Sequence, residues 1–374
     1  MPRRGENIRK RNDGRWEKRY IDSYNGDGKP RYKSVYGGSY AEVKAKYSSL
    51  QSGNAKSEVK SVVTFENLCI LWLDDIKITV KESTYAHYHN TVHNHIIPYF
   101  QNTKAKQINN EIINNFIKEK IANGRLDGKG GLSPKSINGI VIILKEVIQY
   151  GADNKHIPEM PTAFKKPKVA VQLINVLSVQ EQNKLEGYIV SRLDLIGIGI
   201  LICLFTGIRA GELCALLWND INFGTGMLEI TKTLQRIKNT DEDAKTKTKI
   251  IIDTPKSDKS VRAIPMPLFL FSILKQFEEQ YDTDDYVLTG KSRYAEPRTF
   301  ERNFKIVLDK AGIDTINCHA LRHTFATRAV ERGFDTKSLS EILGHSSVRI
   351  TLEKYVNSSA ELKKLHMEKL SLQS

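Results

Sequence analysis

A chain of 374 residues is longer than one ordinary hydrophobic core, so two or three domains are expected. With 40% apolar and 27% charged residues it reads as soluble and globular, which excludes a disordered polypeptide. A formal net charge of +14 calls for a polyanionic partner, nucleic acid before membrane.

Residues 1–60 hold about 15 Lys/Arg against about 7 Asp/Glu, a disproportionate share of the excess. Three short strands and a helix are predicted there. Asn12-Asp13-Gly14 and Asn25-Gly26-Asp27-Gly28 are tight-turn signals between the strands. In the middle strand Trp16, Lys18 and Tyr20 alternate with Arg15, Glu17 and Arg19; in the next, Tyr32, Ser34 and Tyr36 alternate with Arg31, Lys33 and Val35. Period-2 spacing predicts aromatics on one face and several cations on the other, with the helix Tyr40 to Leu50 packed on the aromatic face. Such a basic face suits a DNA groove, which makes Arg15, Lys18, Arg19, Arg31 and Lys33 candidate DNA contacts. An ordinary solvated sheet surface is the alternative.

Residues 51–60 (QSGNAKSEVK) are polar and aperiodic, as a linker is. From Thr64 to about His156 apolar residues recur at helical spacing, and a bundle of four or so helices is expected. His89 and His93, flanked by His87 and His95, are spaced to share a metal, but no Cys or well-placed carboxylate completes a set. They read as helix-surface histidines, and no metal site is expected.

Pro158 to Pro167 reads as a second linker, with Lys165 and Lys166 as further candidate DNA contacts. Ser178-Val179-Gln180-Glu181 is a capping box that opens a new domain. A buried helix to Phe205, a helix from about Arg209, strands at about 227–236, 249–253 and 261–264, and helices from Pro267 onward follow. Cys69, Cys203, Cys214 and Cys318 are far apart, which fits reduced thiols in a cytoplasmic protein better than a disulfide framework. No signal peptide is legible, and the longest greasy run, 193–205, is too short to span a bilayer.

Three strings in this last segment carry chemistry. In Thr206-Gly207-Ile208-Arg209-Ala210-Gly211-Glu212-Leu213 the glycine ends one helix, the arginine starts the next, and Glu212 can brace its guanidinium. In Cys318-His319-Ala320-Leu321-Arg322-His323-Thr324, His319, Arg322 and His323 share one side of a helix. In Leu343-Gly344-His345-Ser346-Ser347 the glycine stops a helix, fixing His345 at a corner, and Tyr355 follows ten residues later.

Arg209, the His319–Arg322 pair, His345 and Tyr355, in that order and spacing, resemble the tyrosine recombinase (phage integrase) family over roughly Leu177 to Ser358. The resemblance implies a multidomain fold, mainly α with small β-sheets. Its parts would be a β-rich DNA-binding domain at 1–60, a helical core-binding domain at 63–157, and a mixed α/β, mostly helical catalytic domain at 172–374. It also implies a catalytic lysine in a hairpin matching 254–265, where Lys256 is favoured over Lys259.

By the same resemblance, Tyr355 is the nucleophile that forms a 3′-phosphotyrosine, and Arg209 and Arg322 clamp the phosphate. His319 is the base, Lys256 the acid, and His345 a hydrogen-bond donor to the phosphate, while Glu212 and His323 support them. No cofactor, metal or ATP is implied. The implied partners are double-stranded DNA at core and arm-type sites and a homotetramer on synapsed DNA. An excisionase or DNA-bending protein is a further implied partner, and the tail 357–374 docks either on a neighbour or on its own domain. The competing readings are a type IB topoisomerase-like enzyme, a chromosome-resolving recombinase, or a catalytically silent DNA-binding regulator of the same fold.

Overall fold

The computed structural model describes residues 8–24, 30–54, 63–158, 164–170, 174–241, 243–255 and 260–355. The architecture is mainly helical with small antiparallel sheets, as expected. Compactness divides the chain into two units, residues 1–79 with 91–167 and residues 80–90 with 168–374.

The first unit begins with a sheet of β1 (Ile8–Lys10), β2 (Trp16–Tyr24) and β3 (Pro30–Gly37), covered by α1 (Tyr40–Asn54). Gly14, at φ +83°, closes the first turn, and its N–H donates to the Arg11 carbonyl at 3.1 Å. The second turn signal, 25–28, lies outside the described residues. Helix α1 runs into the stretch read as a linker, as far as Asn54.

Trp16 meets Tyr40 at 5.6 Å and Tyr20 meets Tyr47 at 5.4 Å, so the helix does pack on aromatics. The faces are sorted differently from the sequence expectation, however. Lys18 opposes Val35 and Tyr20 opposes Lys33, which puts Lys18 and Lys33 on the helix side. Arg19 opposes Ser34 and Glu17 opposes Tyr36, so Tyr32 and Tyr36 share the open face with Arg15 and Arg19. Arg19 stacks over Tyr32 at 4.4 Å, and Arg11 and Arg15 lie over Tyr36. Glu17 sits among them, accepting from Arg9, Ser34 and Tyr36. Arg31, exposed, alternates with Tyr32 and follows the Lys33 side.

The helices after it in this unit are α2 (Phe65–Ile76), α4 (Ile97–Phe100), α5 (Asn110–Asn123) and α6 (Pro134–Asp153), while α3 (Glu82–Thr91), between α2 and α4 in the chain, falls almost wholly in the second unit. Side-chain caps start three of them: Thr64, Asn109 and Ser133 each accept a backbone N–H from the first turn. Phe65, Phe100 and Phe116 fill the centre with ring centroids 5.0–5.1 Å apart. A π-helical turn, Val92–Ile96, joins α3 to α4. His87 and His93 are exposed, whereas His89 and His95 are half-buried, so only two of the four are surface residues as read. Among the described residues no group of His, Cys, Asp and Glu is placed to hold a metal, and no helix is long and apolar enough to cross a membrane. Lys165 and Lys166 are exposed beside the buried Phe164.

In the second unit α7 (Val179–Val190) starts at the capping box as read: Ser178 and Glu181 exchange both backbone bonds, at 2.8 and 3.2 Å. Helix α8 (Leu195–Thr206, LIGIGILICLFT) is apolar all round and buried nearly throughout. The short α9 (Ala210–Cys214) follows it. Strand β5 (Met227–Ile230) pairs with β4 (Ile221–Asn222) on one side and β8 (Arg262–Pro265) on the other, while β6 (Thr233–Lys238) pairs with β7 (Thr248–Asp253). The single strand expected at 227–236 is therefore broken at Thr231–Lys232, its halves going to different sheets. The flanks of 254–261 also belong to different sheets, so that stretch connects two sheets and is not the expected hairpin.

Helices α10 (Leu268–Lys275), α11 (Pro297–Lys310), α12 (His319–Glu331), α13 (Thr336–Leu343) and α14 (Val348–Tyr355) complete the unit. The main core joins α8 to Phe300 and Phe304 of α11 and Leu321 of α12. A small separate cluster holds Ala326, Ala329, Leu339, Leu343 and Tyr355.

Candidate active site

The site is built where three chain reversals meet. Helix α8 ends on Gly207 at φ +68°, where a Cβ would lie 2.4 Å from the Phe325 ring, so glycine is required. Two residues on, Arg209 stands ahead of the first turn of α9. Its Nη1 donates to Glu212 Oε1 at 2.7 Å, its backbone N–H to Oε2 at 3.0 Å, and its Nη2 to the Gly344 carbonyl at 3.3 Å.

Arg322, on α12, is 2% exposed. Its Nη1 donates to the Gly207 carbonyl and its Nη2 to the Leu343 carbonyl, each at 2.7 Å. The two guanidiniums thus grip consecutive carbonyls, 343 and 344, at the end of α13. Burial and then Arg209 push the Arg322 guanidinium down to about 9, still a cation at neutral pH.

Gly344 ends α13 at φ +62°, and His345 donates its N–H back to the Ser340 carbonyl at 3.0 Å, which fixes the corner. His345 Nδ1 lies 2.8 Å from Thr351 Oγ1, and its ring is parallel to that of Tyr355 with centroids 6.4 Å apart. Tyr355, at the end of α14, is 9% exposed, and its hydroxyl lies 2.6 Å from Nδ1 of His323. The ring of His319 meets that of His323 edge-on at 4.5 Å.

Electrostatics keep all three imidazoles neutral. Burial, then Arg322 and Arg209, push His345 down to about 3; burial, then His319 and Lys354, push His323 to about 4. Burial, then Arg322, lowers His319 as well. Burial raises the Tyr355 phenol against the pull of the two arginines. The result is a cationic corner carrying a protonated phenol and unprotonated ring nitrogens, a chemistry suited to a phosphate diester.

Arg209, His319, Arg322, His345, Tyr355 and the two supporting residues, Glu212 and His323, are therefore brought together. Lys256 and its competitor Lys259 lie outside the described residues, as does the tail after Tyr355. The far end of the lysine loop is anchored at the site, since Ser260 Oγ lies 3.4 Å from the Gly344 carbonyl.

Sequence reasoning missed two residues. Arg262 is 6% exposed at its side chain and donates to Glu212 Oε2 (2.9 Å), the Ser260 carbonyl (2.8 Å) and the Ile342 carbonyl (2.6 Å). Its position directly after the lysine loop was a signal, but nothing in the string announces a buried cation. Thr351, one turn before Tyr355 on the same helix face, was legible by spacing. Burial would raise the Glu212 carboxyl, but Arg262 and Arg209 outweigh it and hold it below the ordinary carboxylate value.

Comparison with known proteins places this geometry. Residues 167–361, more than half of the chain, match the phage integrase family, and residues 64–121 match the phage integrase N-terminal SAM-like domain. A tyrosine recombinase XerC-like protein of Caldanaerobacter subterraneus subsp. tengcongensis is 28% identical over 360 residues, covering 88% of this chain and 89% of that one. Among solved structures, the Tn1549 transposon integrase in complex with a circular intermediate DNA superposes with a TM-score of 0.63 at 21% identity. The match covers 81% of this chain and 99% of that one. A lambda integrase tetramer bound to a Holliday junction superposes with a TM-score of 0.56 at 18% identity, covering 95% of this chain and 96% of that one. With the family matched over most of the unit that holds the phenol and the paired guanidiniums, the chain belongs to the phage integrase family of tyrosine recombinases, enzymes that cut and rejoin DNA at specific sites through a tyrosine.

Proposed function

We propose that Tyr355 is the nucleophile of this recombinase and that it integrates and excises a mobile element of the conjugative-transposon kind. The observation that carries the assignment of residues is the convergence of Arg209 and Arg322 on the carbonyls of Leu343 and Gly344, beside the ring of His345 and the phenol of Tyr355. Two fixed guanidiniums can hold both nonbridging oxygens of a phosphate and neutralise the charge that grows as a fifth oxygen approaches. Attack by the phenol oxygen gives a 3′-phosphotyrosine and frees a 5′ hydroxyl, and the ester keeps the bond energy for rejoining. His319 and His345 face the same phosphate from α12 and from the corner, and Lys256 protonates the departing oxygen. Glu212 holds Arg209.

In the same reading residues 1–60 bind arm-type DNA, 63–157 the core site, and 172–374 carry out the chemistry. The open sheet face with Arg15 and Arg19 supports the first of these. The transposon integrase and the junction-bound tetramer among the structural relatives support the element and a homotetramer on synapsed DNA. An excisionase or DNA-bending protein completes the assembly, in the cytoplasm.

Footprinting on the DNA that flanks its own gene maps the site, and a duplex nicked near the crossover traps the intermediate. The native chain should give a covalent protein–DNA adduct, and Tyr355→Phe should give none while binding equally well. An adduct from Tyr355→Phe sinks the assignment; binding without an adduct from the native chain would mark a silent regulator of the same fold.

A further inference from the structure

Thr351 is fully buried, and its hydroxyl makes one hydrogen bond among the described residues, to Nδ1 of His345 at 2.8 Å. Two other buried helical threonines, Thr206 and Thr324, donate instead to the carbonyl four residues earlier on their own helices. Thr351 reaches back across the corner. Its hydroxyl hydrogen needs an acceptor in so dry a place, and the ring nitrogen is the one it has. A hydrogen on Nδ1 would leave that hydroxyl with nothing to donate to. The hydrogen of a neutral His345 therefore stands on Nε2.

Neutrality is what gives the tautomer its weight. An imidazolium donates from both nitrogens, whereas a neutral ring donates from one. Burial, then Arg322 and Arg209, keep His345 neutral. With Nδ1 taken by Thr351, the half-buried ring can meet a phosphate oxygen as a donor only through Nε2.

We propose that Thr351 is a positioning residue of the recombination reaction, whose hydroxyl fixes the tautomer and the plane of His345 so that Nε2–H is presented to the scissile phosphate. The inference rests on His345 being a hydrogen-bond donor to that phosphate, the role given to it above. Thr351 precedes Tyr355 by one turn, so the two share a face of α14. The rings of His345 and Tyr355 lie parallel, with centroids 6.4 Å apart. One helix thus carries both the phenol and the hydroxyl that readies the donor. Displacing α14 withdraws the two together, so a phosphate met without the phenol also meets a His345 that nothing orients.

The test uses the full chain and the nicked duplex described above. Thr351→Val keeps the shape of the side chain and removes the hydroxyl. It should bind the duplex as the native chain does and form adduct about 10- to 100-fold more slowly. Thr351→Ser, which keeps the hydroxyl and loses the methyl, should recover most of the native rate. A packing role would rank the two variants the other way. Adduct formation by Thr351→Val at the native rate, or by Thr351→Ser no faster than by Thr351→Val, overturns the proposal. A double-mutant cycle separates the proposal from the reading it rests on. His345→Ala should slow adduct formation, and adding Thr351→Val to it should slow it no further; a second, additive loss defeats this inference alone. A native rate from His345→Ala defeats the donor reading and the inference with it. The last measurement is made on the native chain, labelled with 15N-histidine and free of DNA. His345, identified by its absence from the spectrum of His345→Ala, should show an unprotonated Nδ1 and a protonated Nε2. A hydrogen on Nδ1 overturns the proposal whether or not the variants at 351 fold.

Discussion

Glu212 and Arg262 show how much of the site depends on buried side chains that hold others in place. The carboxylate is 2% exposed, and both of its oxygens accept from Arg209 and from Arg262. Removing Arg262 leaves a buried charge half-compensated, a loss of about 3–5 kcal/mol for pairs of this kind. Arg262→Met is expected to lower the denaturant midpoint accordingly at pH 7. The pH dependence follows from the sign of the Glu212 shift. In the native chain the carboxyl is held below its ordinary value, so its contribution is present at neutral pH and is lost as pH falls through that depressed value. In Arg262→Met burial prevails, the carboxyl titrates above its ordinary value, and protonation relieves the unpaired charge. The stability gap between variant and native chain should therefore narrow from pH 7 to pH 5; a gap that stays constant would contradict this account.

At the scale of elements, the corner after α13 holds Arg209, Arg322 and His345 in register. Gly344 is left-handed, and a Cβ there would lie 3.1 Å from Arg262 Nη1 and 3.2 Å from Ser260 Cα. The guanidinium cannot yield, because three carbonyl or carboxylate groups hold it. Gly344→Ala should cost about 1–2 kcal/mol in backbone strain and slow adduct formation by more than about tenfold through misplacement of His345, with DNA binding unchanged. Adduct formation at the native rate would show that the corner is not what aligns the site. These elements are largely legible in the sequence, because caps are local: Ser178 with Glu181, Ser133 with Pro134, and the helix-ending glycines at 207 and 344 each announce a boundary by their own chemistry. What is not legible is relational. The alternation within β2 can be read from its own residues, but its phase against β3 is set by Trp16 opposing Gly37, which neither strand's sequence contains. The break at Thr231–Lys232 and the burial of Arg262 likewise depend on which distant strand or carboxylate comes to lie alongside.

For the whole molecule, the charge of +14 becomes informative once it is distributed. On the N-terminal sheet Arg15 and Arg19 lie on the open face with Tyr32 and Tyr36, and Lys18 and Lys33 on the face toward α1. For every phosphate that a protein no longer neutralises, the slope of log affinity against log salt falls by about 0.9. Arg15→Ala combined with Arg19→Ala should flatten that slope by nearly 2, and Lys18→Ala combined with Lys33→Ala by less than 1; the reverse order would mean that the opposite face meets DNA. The same division of labour recurs around α12. Its Leu321 is anchored in the large core with α8, whereas Tyr355 belongs to a satellite cluster of five buried residues, two of them alanines. So little apolar area anchors that satellite only lightly compared with the main core. The blade is thus more lightly mounted than the vice: a slight rocking of α14 alone can withdraw the phenol while the carbonyls at the end of α13 keep the paired cations in place, so that, with Tyr355 as the proposed nucleophile, grasping a strand and severing it become separate events.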